Sequence, residues 1–380
     1  TLYYLRQYVD FCLTLFEETT IDYIEISEEV FEFFEKLHKG VEKFKGLLNQ
    51  SFSNTDRKEF LNHMCQAGSE HRQNIYDNGF SGRRQSIQIK ALISFLHLGK
   101  KYIDHSIKAN KRDDDLYHAY NLIKFPTRDE ITIRYLYEML EGQVAVLSSE
   151  YLSFEDSILL LNSLRKSALY RKDQHSYILY PNRELPKFNE KNIIPAELVE
   201  KSSLLKTLIL EGKGDIAYQD VNGQYHFNSK FRNSRILKEA LNKLVMKKPE
   251  IPQTDLGPIL EIYETIFDHQ SFTGRSGTFY KYEGLGSIYW HMVSKLLLAV
   301  QDTYYRAVQM GASQSVLEKL KTYYYDIREG IGSHKNPEQY GSFPTDAYSH
   351  TPQGDGAKQP GMTGQVKEDF ISRFGELGII

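Results

Sequence analysis

The chain has 380 residues, 41% of them apolar and 26% charged, with a formal net charge of −3. That is ordinary globular composition, enough for two to three domains or one large helical fold. The near-neutral charge leaves no basic footprint for nucleic acid, and no run of roughly 18 uninterrupted apolar residues marks a membrane span.

Helical periodicity dominates the first 170 residues. Leu5, Tyr8, Val9, Cys12, Leu15 and Phe16 form one apolar stripe, and Val30, Phe31, Phe34, Leu37, Val41, Phe44 and Leu48 form another, as in helices that pack through one face. Further helices are expected near 55–77, 86–108, 128–149 and 154–169, the last with Ser153 as N-cap and acids in its first turn. Cys12 and Cys65 lie far apart in helical stretches, with neither disulfide nor zinc spacing. They are expected to be reduced core thiols, in keeping with a cytoplasmic setting.

Between 171 and 232 the pattern changes. YILYP at 177–181 and the Pro-bounded YPNRELPKF at 180–188 lead to IAYQDVNGQYHF at 216–227. There Asn222-Gly223, flanked by Tyr218, Tyr225 and Phe227, predicts a β-hairpin closed by a type I′ turn. Helices are expected near 196–211, 234–247, 255–268, 285–303 and 312–328. The segment 330–362 carries Pro337, Pro344, Pro352 and Pro360 with the aromatics Tyr340, Phe343 and Tyr348, which favours an ordered strap over a linker. A final helix begins near Thr363 and stops near Gly378.

The expected fold class is therefore mostly α: an array of antiparallel helix hairpins, suited to an (α/α) toroid or part of one, with a small β-hairpin excursion near 177–227. The expected organisation is a helical hairpin region over 1–170, a mixed loop and hairpin insertion over 171–232, and a helical region over 233–380. Because Thr1 is not a methionine and already opens a helical pattern, the chain reads as one helical unit excised from a longer polypeptide.

Four loops carry candidate chemistry. The segment 268–292, DHQSFTGRSGTFYKYEGLGSIYWHM, places Arg275, Tyr280, Tyr282, Glu283, Trp290 and His291 among four glycines. Glycines let backbone approach a ligand, aromatic faces stack on sugar rings, and a carboxylate beside aromatics has its pKa raised toward general-acid use. The plain alternative is a tight turn with buried aromatics. KRDDDLYHAYN at 111–121 offers Asp115, Tyr117, His118 and Asn121; three adjacent aspartates cannot all face one site, and a solvated acidic turn is the alternative. YPNRELPKF holds Arg183 and Glu184 between two prolines on stiffened backbone. The strap supplies Asp346, His350, Gln359 and Lys367, and its entry into a helix at Thr363 would present backbone N–H groups to an anion.

A further stretch, GSEHRQNIYDNGFSGRR at 68–84, joins Glu70, His71 and Arg72 to a glycine-flanked loop, and a surface helix and loop is its expected role. GRSG at 274–277 falls short of the G-x-S-x-G elbow, and phosphate-binding glycine loops are absent. Twelve histidines are scattered singly with no pair at ligand spacing, so no histidine-built metal site is read from the sequence.

The phrases NKRDDDLYHAYNL, FTGRSGTFYKYEGLGSIYWHMVSKLLLAVQ, SFPTDAYSHTP and AKQPGMTGQVKEDFISRFGELG resemble the carboxy-terminal part of large bacterial proteins grouped with cellobiose-phosphorylase-like, carbohydrate-active (α/α)-toroid proteins. The resemblance runs from about residue 68 onward. It implies a saccharide cleft lined by the glycine- and aromatic-rich loops, within a longer parent chain. Glu283 is the expected acid. Asp115, Glu184 and Asp346 compete as a second carboxylate, and Arg275 or Lys367 would contact inorganic phosphate as co-substrate, with no other cofactor. The alternative is a non-catalytic helical module that docks on its parent chain or on another protein, its 27 tyrosines serving an interface.

Overall fold

A computed structural model describes residues 1–181, 186–269, 288–333, 350–351 and 363–379. The fold is mostly α with small antiparallel two-stranded sheets. It divides into two compact units: residues 1–182 with 283–380, and residues 183–282 inserted between them in sequence. The change of composition over 171–232 therefore does not coincide with a compact unit, and the boundary expected at 232 falls inside the second.

In the first unit, α1 (Leu2–Glu17) packs on α4 (Ile89–Ala109), and α2 (Glu28–Phe44) packs on α3 (Asn54–Asn78). Local chemistry starts these helices. Ser27 accepts from the Val30 amide, and Ser53 forms a reciprocal capping box with Asp56, relieving amides that have no partner inside the helix. The strands β1 (Tyr23–Ser27) and β2 (Arg84–Gln88), set ahead of α2 and α4, pair Tyr23 with Gln88 through Ser27 with Arg84. Cys12 is half-buried and Cys65 exposed, so neither is the core thiol expected from its helical surroundings.

The helix expected over 128–149 is two elements. β3 (Asn121–Lys124) pairs with β4 (Thr132–Tyr135), and only then does α5 (Leu140–Ser148) begin. The β-branched and aromatic run ITIRYLY favours a pleated surface over a helix. α6 (Phe154–Lys166) follows, with Ser153 accepting from the Asp156 amide at 3.0 Å as expected. The short pair β5 (Tyr170–Arg171) and β6 (Ser176–Tyr177) then closes the first half of this unit.

The second unit contains α7 (Phe188–Lys191), α8 (Ala196–Glu200), α9 (Ser203–Leu210), β7 (Ala217–Gln219), β8 (Tyr225–Phe227), α10 (Ser234–Lys247) and α11 (Leu256–Phe267). Its core joins Leu205, Ile209, Phe227, Leu237, Leu241, Ile259 and Tyr263. Asn192, 2% exposed, pins the hairpin by donating to the Phe227 carbonyl at 2.8 Å and accepting from its amide at 3.1 Å. The hairpin lies where expected, with a different turn. The Gly223 amide donates to the Asp220 carbonyl, and Gly223 alone in the turn has a left-handed φ, of 82°. That is a type I turn completed by a glycine bulge, not a type I′ pair. The Asp220 side chain enforces it, accepting from the amides of Asn222 and Gln224.

The chain re-enters the first unit through β9 (Ile288–Tyr289) and α12 (Trp290–Gln309), followed by α13 (Gln314–Arg328), a π-helical turn over Glu329–Ser333, β10 (His350–Thr351) and α14 (Thr363–Glu376). α12 is the hub of this unit, packing on α5, α13 and α14.

Candidate active site

The candidate site is built where α12 begins. β10 pairs with β9, His350 opposite Tyr289 and Thr351 opposite Ile288, and β6 lies against β9. This pair gathers the described ends of three chain segments: the one entering at Ile288, the one entering at His350, and the one that leaves Thr351 and rejoins the fold at Thr363. Trp290, 3% exposed, plugs the core as the first residue of α12. His291 follows it at the partly open surface. Its Nδ1 lies 3.3 Å from the Tyr289 hydroxyl and its Nε2 3.2 Å from Glu368 Oε2.

Glu368 is the residue that sequence reading missed. It sits on α14, is 8% exposed, and Oε2 has no hydrogen bond of good geometry beyond its charge contact with His291. A carboxylate on one ring nitrogen and a phenol on the other fix the orientation of the imidazole. The remaining contacts of α14 lock that helix to α12 and α13. Gln301 donates to the Ser372 carbonyl at 2.8 Å, the Tyr324 hydroxyl donates to Glu376 at 2.7 Å, and Arg328 ion-pairs with Glu376. At Gly375 a Cβ would fall 2.4 Å from the Gln301 side-chain amide, which would have to shift from its place on the Ser372 carbonyl to make room. Lys367, expected as a phosphate contact, is exposed beside Glu368.

Asp115, Tyr117, His118 and Asn121 lie close in sequence, and each is tied to a different neighbour. Asp115 has a left-handed φ of 62° and pairs with Lys111 at 3.0 Å. Asp114 holds the loop: it takes a two-pronged contact from Arg112, accepts from the Leu116 amide, and its carboxyl is held below the usual range chiefly by that guanidinium. Tyr117 is 4% exposed, and burial pushes its phenol up to about 12. Its backbone amide and carbonyl are both taken by the fully buried amide of Gln143 on α5. His118 stacks on Tyr135 with ring centroids 4.2 Å apart, and Asn121 donates to the Asn110 side chain at 2.7 Å.

Arg275, Tyr280, Tyr282, Glu283, Arg183, Glu184, Asp346 and Gln359 lie outside the described residues; His350 is described as a strand residue only. The structure thus brings Trp290, His291 and the backbone of His350 together, and adds Glu368.

Residues 185–270 match the family model described as GH149 phosphorylase insertion domain 2. No curated protein matches the chain. The matched span lies within the compact unit 183–282, so one family domain and one structural unit coincide. The match supports the cellobiose-phosphorylase-like, carbohydrate-active group that the quoted phrases resemble.

Proposed function

We propose that this chain, whose residues 185–270 match a phosphorylase insertion domain, serves the phosphorolysis of a glycosidic bond. The observation that carries the reading is the coincidence of the matched phosphorylase insertion domain with the unit 183–282. In this proposal the first unit is part of an (α/α) toroid belonging to a longer parent chain, and the start of α12 faces the saccharide.

Phosphorolysis with inversion needs one acid and a phosphate pocket, where hydrolysis needs a second carboxylate roughly 6.5–9.5 Å away. Glu283 gives its proton to the leaving glycosidic oxygen. A phosphate oxygen bonds the anomeric carbon from the opposite face as that carbon–oxygen bond breaks, yielding a sugar 1-phosphate and a shortened saccharide. Arg275 or Lys367 neutralises the phosphate, while both ring nitrogens of His291 are held by Glu368 and Tyr289. Asp115 is the weakest of the competing carboxylates, since it is tied to Lys111.

The test is sugar 1-phosphate release from a panel of oligosaccharides with inorganic phosphate. Glu283→Gln is expected to lower turnover by roughly 10²–10⁴-fold, the usual worth of a general acid. Reducing-sugar release that does not depend on phosphate would replace phosphorolysis with hydrolysis.

One observation favours the second reading, a docking module. Tyr4, Tyr8, Phe11 and Leu15 on α1 and Phe370, Phe374 and Leu377 at α14 are large apolar side chains 49–75% exposed, and such contiguous faces mark interaction surfaces. Turnover with neither co-substrate, together with stable capture of a protein partner, would leave that reading standing.

A further inference from the structure

Glu29, in the first turn of α2, is 6% exposed. Its Oε1 accepts from the Ser81 amide at 2.7 Å, whereas its Oε2 is buried with no hydrogen-bond partner. A buried carboxylate oxygen without a donor is costly, so it marks a place where a donor belongs. Glu29 lines a cavity of about 230 Å³ together with Glu28, Glu32, Asn74, Asn78, Ser81 and Arg83. Arg83 is committed to Glu28, at 2.5 Å, which leaves Glu29 and Glu32 without an ion pair among the described residues. Asn78 donates its amide nitrogen to Asn74 at 2.8 Å, so its Oδ1 remains an acceptor. α3 also ends here, and its carbonyl terminus adds partial negative charge.

The cavity is thus acceptor-rich and electronegative. Both first-turn carboxyls stay ionised at neutral pH: the Ser81 hydrogen bonds hold Glu29 below its ordinary value, and the Arg83 hydrogen bond does the same for Glu28. Among the described residues no three His, Cys, Asp or Glu side chains gather closely enough to hold a metal ion. The lining therefore offers several acceptor oxygens to a guest that carries donors.

We propose that this cavity binds a primary ammonium group, with Glu29 Oε2, the Glu32 carboxylate and Asn78 Oδ1 as its acceptors. An ammonium carries three N–H donors and no acceptor, and charge-assisted bonds to carboxylate are the strong ones. The group belongs to a free polyamine or to a lysine side chain, two sources of the same chemistry.

The test is ligand-observed saturation-transfer NMR with 1,4-diaminobutane, Nα-acetyl-lysine amide and the uncharged 1,4-butanediol, with calcium chloride titrated separately. Both amines are expected to bind and the diol to give no saturable signal. Glu29→Gln keeps an acceptor oxygen for the Ser81 amide and is expected to weaken amine binding at least tenfold. Glu32→Gln, at an exposed position where folding is not at stake, is expected to weaken it in the same direction. Glu197→Gln, an exposed acid on α8, leaves it unchanged. Tighter binding of the lysine amide assigns the site to a protein lysine, and tighter binding of the diamine to a free polyamine. Equal binding of the diol, amine binding that survives both Gln variants, or calcium binding lost in Glu29→Gln without amine binding would overturn the proposal.

Discussion

Two helices of the first unit, α1 and α12, carry comparable apolar content and use it in opposite ways. α12 is buried on most sides from Trp290 to Ala307, with Leu296, Val293 and Val300 fully enclosed. α1 buries only Tyr3, Arg6, Val9 and Leu13, and turns Tyr4, Leu5, Tyr8, Phe11 and Leu15 outward. Its inward face even holds a guanidinium: Arg6 bonds Asp104 at 2.6 Å, Asp10 at 3.0 Å and the Ser149 carbonyl at 2.9 Å. Periodicity reports that a helix has an apolar face. It does not report which face the rest of the molecule covers.

The largest effect that tests this contrast is at the hub. Leu296→Ala removes a side chain with no exposure from the junction of α12 with its neighbours. The expected cost is about 2–5 kcal/mol, transfer plus cavity, read as a lower urea midpoint with an unchanged slope. A cost below about 1 kcal/mol would mean that α12 is not packed as described.

A smaller effect sharpens the inner side of α1. The Tyr3 hydroxyl donates to the His118 carbonyl, and His118 Nδ1 is buried without a partner. Burial, with Arg112 nearby, lowers the pKa of this imidazole. The folded state therefore resists protonation, and between the folded and unfolded values the unfolded chain binds more protons. The contribution of His118 is fully present above the unfolded value of about 6.5 and is lost as pH falls from there toward and below the folded value. Urea midpoints at pH 7.5 and 5.5 are expected to differ less in His118→Phe, whose ring can still stack on Tyr135, than in the parent chain. An unchanged difference would remove His118 as a source of acid sensitivity.

The same contrast explains what the sequence made legible. Helices over 234–247, 255–268 and 312–328 are legible through their amphipathic period, and the first adds a cap, Asn233 accepting from the Ile236 amide. The pairing of Tyr23–Ser27 with Arg84–Gln88 is not, because two five-residue strands so far apart in sequence leave no local signal of their partnership. At the candidate site Trp290 and His291 stood out by composition, while Glu368 looked like one more solvated charge in QVKEDF. Its spacing with Ser372 and Gly375, at i, i+4 and i+7, was the available clue: a small and polar face on a helix that turns Phe370 and Phe374 outward. On α14 the large apolar residues do not mark the inner face.

The smallest expected effect is therefore the most diagnostic. Leu15→Ser changes a residue that the apolar stripe of α1 would put inside and that the structure leaves 53% exposed. A surface substitution away from caps and networks is worth within about ±0.5 kcal/mol, whereas the same change in a core would cost several times that. A urea midpoint indistinguishable from the parent places the outer face of α1 in solvent in the isolated chain. A loss comparable with Leu296→Ala would mean that this face is covered, and the contrast between the two helices would dissolve.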